Sequence, residues 1–181
     1  MALDMVEFQK DVLDLEERCQ RSRASHFIDA NRWTNANWWL GVFSIVLGAL
    51  GGTATASTAG GGSDALVIPF AVGFSFLAGV IGAVVSFLKP EEKASAHKRA
   101  GDGWSILADK FFKLARTDIS LKQPDELSKM LDDLIAEKQR VTEASPVISQ
   151  KARVGVSDKN SKDLRASTFQ VGKVTGRIKQ I

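Results

Sequence analysis

Hydrophobic and polar positions divide this chain into three regimes. In the first, Met5, Phe8, Val12, Leu15 and Cys19 recur by steps of 3, 4, 3 and 4, with charged or amide side chains between them. That spacing predicts an amphipathic helix over residues 3 to 31 with a heptad seam. Past Cys19 the same register meets Ser22, His26 and Asp29, so the seam turns polar there, and Phe27 and Ile28 suggest a shifted face. In the second regime, residues 33 to 88, the one charged side chain is Asp64. Two apolar runs lie in it, Asn37–Ala56 and Ala65–Leu88, separated by Ser57–Asp64. In the third, Ala100, Trp104, Leu107, Phe111 and Leu114 restore steps of 4, 3, 4 and 3, a natural partner for the first seam.

The apolar runs set the class. A helix rises about 1.5 Å per residue, so roughly 20 apolar residues cross a hydrocarbon core of about 30 Å. Neither run keeps the polar stripe of a helix lying on a soluble core. The expected architecture is an all-α membrane protein. It is a two-transmembrane helical hairpin with long cytoplasmic amphipathic helices before and after it. Its expected parts are an N-terminal cytoplasmic helix (1–32), spans at 33–56 and 65–88, an extracytoplasmic turn (57–64), a cytoplasmic helical pair (89–145) and a basic tail (146–181). A long charged stretch precedes the first run, against a cleaved signal peptide.

Charge orients the hairpin. Arg18, Arg21, Arg23 and Arg32 precede the first run, Lys89, Lys93, Lys98 and Arg99 follow the second, and the turn holds no Lys or Arg. The positive-inside rule places both termini in the cytoplasm and the turn outside, with the membrane crossed more than once. Arg32, Trp33, Trp38, Trp39 and Lys89 fall where an interfacial belt belongs.

Small residues repeat every four positions in both runs: Ser44, Gly48 and Gly52 in the first, and Ala71, Ser75, Gly79 and Ala83 in the second. Such stripes let helices approach closely in lipid. Ser44, Gly48, Gly52, Ser75, Gly79 and Ala83 are therefore candidates for helix contact or pore lining. They could serve within one hairpin or between subunits. Two helices cannot enclose a water path, so any pore needs several copies around an axis. Without a charge inside either run, a proton relay, a voltage sensor and a substrate-binding transporter have little to work with.

The soluble parts add detail. Phe8, Val12, Leu15, Trp104, Leu107, Phe111 and Leu114 are the expected cytoplasmic assembly residues, and heptad steps alone fit pairing within one chain or between chains. Pro90 is expected to kink the helix after the second span, with helix over 91–116. Pro124-Asp125-Glu126 opens a further helix with acids in its first turn, and Ser145-Pro146 ends it. From about residue 151 the periodicity dissolves, apart from a short strand suggested near Phe169 and Val171. Net charge is +3, but residues 151–181 hold eight Lys or Arg and two Asp, which makes this tail +6 and the remainder −3. Such a tail suits anionic lipid headgroups or plain solvent; with no aromatic interleaving, no nucleic-acid partner is expected.

Chemistry-bearing motifs are few. Cys19 is the one cysteine, so an internal disulfide is excluded. His26 and His97 lack partners at ligand spacing, and the glycines near Gly51 and Gly60 precede no Lys-Ser/Thr. No metal site, cofactor or enzymatic activity is expected.

The segments Arg23–Trp33 (RASHFIDANRW), Trp38-Trp39 and Ala100–Arg116 (AGDGWSILADKFFKLAR), set around two spans, resemble the SLATT family of two-transmembrane effectors from bacterial defence operons. The resemblance covers about residues 5 to 145 and excludes the basic tail. It implies a homo-oligomeric pore in the bacterial inner (cell) membrane, opened during infection in an antiphage or abortive-infection system. It also implies a trigger: an operon-encoded sensor, a nucleotidyltransferase or a nucleotide second messenger. Nothing in the spacing itself points to nucleotide binding. The rival expectation is a non-conducting membrane anchor or scaffold that recruits a soluble partner through its cytoplasmic helices.

Overall fold

A computed structural model of the chain describes residues 5–59 and 67–157, with side chains for 5–52 and 69–156. All its elements are helical: α1 Met5–Ala59, α2 Val67–Leu88, α3 Pro90–Arg116, a 3-10 turn Asp118–Ser120, α4 Pro124–Ala144 and α5 Gln150–Ser157. The chain divides into two compact units, Asn31–Ala94 and the pair of segments Met1–Ala30 and Ser95–Ile181.

The expected boundary between an amphipathic helix and a first span does not interrupt the backbone. From Met5 to Leu40 the sequence holds no proline or glycine, so nothing stops helix propagation, and α1 runs unbroken through both patterns. A real break comes at Lys89. A residue before proline is pushed out of the right-handed helical region, and Lys89 takes φ 45°, the left-handed conformation that terminates helices. Pro90 then opens α3 at its first position, where a missing N–H costs nothing, followed by Glu91 and Glu92.

The bundle unit is built on one apolar core. Phe8, Val12 and Cys19 of α1 meet Trp104, Leu107, Ala108, Phe111, Leu114 and Ala115 of α3, and Leu127 and Leu134 of α4 close the cluster. Leu15 packs against it, half-buried. Val12, Leu107 and Phe111 are wholly buried; each such side chain contributes about 1.5–3 kcal/mol by leaving water. The two heptad seams are thus partners within one chain. α4 begins at Pro124 and ends before Ser145, as its flanking residues predict. One difference appears further on. Residues 150–157, where the periodicity fails, form α5, which buries Ala152 and Val156. The suggested strand at Phe169 and most of the basic tail lie outside the described residues, as does most of the Ser57–Asp64 turn.

The apolar unit inverts this logic. Phe76 is 71% exposed, Ile45 73% and Phe87 87%, while among the described side chains of α2 the buried one is the small Ala71. Among the described residues, one helical stretch, Pro69–Ser120, holds a window long and apolar enough to cross a membrane, with 6% of that window buried. The described part of the first run, to residue 52, does not reach that measure. Asn35 and Asn37 dilute its near end, and its far end, from residue 53, lies beyond the described side chains.

Candidate functional site

In the apolar unit the helix contact is narrower than the small-residue stripes suggest. A methyl added at Gly51 would lie 2.5 Å from Ser75 Oγ, 3.2 Å from Ser75 N and 3.3 Å from the Ala71 carbonyl oxygen. Gly51 is therefore the position where α1 and α2 need a missing side chain. Ser75 sits at this contact. Gly48, Gly52 and Gly79 do not, since a methyl on any of them would meet nothing within 4 Å. Ser44 is half-buried and Ala83 exposed. The helical period explains the offset: Ser44, Gly48 and Gly52 share a stripe, and Gly51 lies one position off it.

The aromatic belt is ordered locally. Trp38 and Trp39 stand edge to face with centroids 4.7 Å apart, and Trp39 lies 5.9 Å from Phe43. Trp33 carries Lys93 Nζ over its ring at 4.5 Å, a cation–π contact joining α1 to the start of α3. Arg32 is exposed, and Lys89 pairs with Glu92 at 2.9 Å on the surface.

The bundle unit holds a polar cluster that the sequence reading did not assemble. The α1 register does not shift after Cys19. It continues inward through His26 and Asp29, which are 1% and 2% exposed, while Ile28 points outward. Phe27 instead occupies the space opposite Gly101, where a methyl would sit 3.1 Å from its ring. Gly101 makes that approach possible. From α3, buried His97 presents Nδ1 to His26 Nδ1 at 3.1 Å. One ring must donate its Nδ1–H and the other accept, which two neutral imidazoles do only as opposite tautomers. Burial chiefly, then the neighbouring His97, pushes the His26 pKa down to about 4 against the pull of Asp29. Burial lowers His97 too, again opposed by Asp29.

Asp29 makes the second half of the cluster. Its Oδ2 accepts from the Ser149 backbone N–H at 2.7 Å and its Oδ1 from the Ser149 hydroxyl at 2.6 Å. Ser149 Oγ in turn accepts from Ala152 N at 3.3 Å, and Arg153 N bonds the Ser149 carbonyl. Ser149 is thus the N-cap of α5. The sequence signal existed: Ser22, His26 and Asp29 stand on the heptad register. The 71-residue separation of the histidines hid their meeting.

Other groups are chemically quiet. Burial raises the Cys19 thiol to about 11, so it stays protonated at neutral pH and is a poor nucleophile. Trp104 Nε1 is buried with no hydrogen-bond partner among the described residues. A groove of about 410 Å³ between α3 and α4 is lined chiefly by Ala96, Ala100, Gly103, Val141 and Ala144, with Arg99 as its charged residue. Its hydroxyl, Ser145 Oγ, already donates to the Val141 carbonyl at 2.6 Å. Among the described residues no three His, Cys, Asp or Glu side chains converge to hold a metal ion.

No protein-family model, curated protein or solved structure matches this chain.

Proposed function

We propose that this chain is a homo-oligomeric, pore-forming membrane effector. Residues 33–56 and 65–88 are its two spans, its termini face the bacterial cytoplasm, and its subunits pack through the apolar helices. The observation that carries this reading is the disposition of apolar surface. The heptad seams are consumed inside the bundle unit. The apolar unit leaves Ile45, Phe76 and Phe87 outward and Gly48, Gly52 and Gly79 opening onto free space. Outward large side chains suit acyl chains, and open glycines suit close approach of a neighbouring helix.

The bundle unit is then the part on which a trigger acts, biasing a closed and an open arrangement. By the SLATT resemblance, the trigger is a sensor, a nucleotidyltransferase or its nucleotide product.

The test is forced expression with a membrane-impermeant dye as readout, comparing the wild type with Gly79→Leu. Dye entry with the wild type, reduced by the substitution, is the expected result. If membranes stay intact while a soluble partner co-purifies, the pore reading fails and the anchor takes its place.

A further inference from the structure

The polar cluster of the bundle unit joins three separate stretches of chain by hydrogen bonds rather than by apolar packing. His26 and Asp29 come from α1, His97 from α3, and Ser149 from the connection into α5. Each bond depends on a protonation state. The His26–His97 bond requires at least one unprotonated Nδ1 facing the other. With both rings protonated, two N–H donors would face each other 3.1 Å apart with no acceptor between them. A single added proton places a positive charge between rings 1% and 5% exposed, where a charge is costly without a close partner. The one carboxylate that acts on both rings is Asp29. Each of its oxygens already accepts one bond from Ser149.

We propose that His26, His97, Asp29 and Ser149 form a proton-operated latch that holds α5 on α1, closed with neutral histidines and released when they are protonated. A protonated imidazole competes with Ser149 for Asp29. Losing Asp29 costs Ser149 both of its anchors, and with them the fixed N-cap of α5. What else holds α5 is slight: its eight residues bury Ala152 and Val156, and a methyl at Gly155 would only just reach Ile28. So short a helix does not persist on its own in water.

The groups facing the pair define the direction of the effect. His26 faces His97 from α3 and Asp29 on its own helix, and His97 faces His26 and Asp29 from α1. From the α5 side the group at the cluster is the uncharged Ser149 hydroxyl, on Asp29, while Lys151 and Arg153 are exposed. Burial lowers both histidines when the latch is closed, so the released state binds protons more tightly. The latch is therefore closed above the ordinary histidine value of 6.5 and opens as pH falls from there toward about 4.

Amide hydrogen exchange on the full chain in lipid nanodiscs tests this, with rates corrected for the intrinsic pH dependence. Each pH unit separating the proton affinities of the two states shifts docking up to about tenfold. Protection over residues 150–157 is expected to fall about tenfold or more between roughly pH 7.5 and pH 5. Protection over Leu107–Leu114 should hold. With His26→Gln and His97→Gln combined, protection of α5 should no longer vary over this range. Unchanged α5 protection in the wild type, or acid release that survives the double substitution, would overturn the proposal. Should the double variant not fold, the wild-type midpoint decides. A midpoint between 6.5 and about 4 supports histidine control, and one below that window assigns release to a carboxylate and overturns it.

Discussion

The bundle unit and the apolar unit solve opposite solvation problems with the same secondary structure. In the bundle, Phe111 and Leu107 are fully buried and Lys110 and Glu137 meet on the surface at 2.7 Å. In the apolar unit, Phe76 and Phe87 face outward and what is hidden is small, Ala71 and Gly51. Large side chains carry a core when water is the alternative. When the surroundings are as apolar as the side chain, burial gains little and close backbone approach carries the contact. A single helix, α1, obeys the first rule in its early turns and the second in its later ones.

Truncation of a phenylalanine breaks this comparison most sharply. Phe111→Ala should cost about 3–5 kcal/mol of bundle stability. Phe87→Ala, at a site 87% exposed, should change it by less than about 0.5 kcal/mol. Thermal loss of helical signal from the full chain in detergent reads both; equal effects would mean that the two units do not differ in what holds them.

A smaller effect sharpens the picture of the hairpin. Gly51→Ala forces a methyl against the Ser75 backbone and the Ala71 carbonyl and should weaken the α1–α2 contact by about 1–3 kcal/mol. Gly52→Ala enters open space and should leave that contact intact, while gaining up to about 1 kcal/mol of helix propensity. Titration with a denaturing detergent compares them. The smallest effect belongs to the surface: Lys110→Ala removes an exposed ion pair with Glu137 and should cost less than about 1 kcal/mol on the same thermal assay.

How far the sequence carries can be judged residue by residue. The heptad steps at Phe8, Val12 and Leu15 and at Trp104, Leu107, Phe111 and Leu114 name seven residues that the structure places in or against one core. Period alone cannot distinguish an internal seam from a seam between subunits, and the packing resolves it as internal. The unbroken α1 was readable in the absence of glycine and proline before Gly41; the change in hydrophobicity near Trp33 drew the boundary instead. Gly51 escaped because a four-residue repeat picks out Gly48 and Gly52, whereas the contact is set by where two helix axes come closest. α5 and the histidine cluster escaped for one shared reason. Ser149 and Asp29 are 120 residues apart, and no local pattern announces that a hydroxyl will cap one helix while binding a carboxylate on another.

The central claim is that the outward glycines and large apolar side chains meet lipid and neighbouring subunits. Mass measurement of the detergent-solubilised complex, followed by single-channel recording of the same sample in planar bilayers, tests it most directly. A closed ring of defined mass that conducts, even in rare openings, is the predicted result. A monomer or dimer that stays silent in the bilayer would contradict the account.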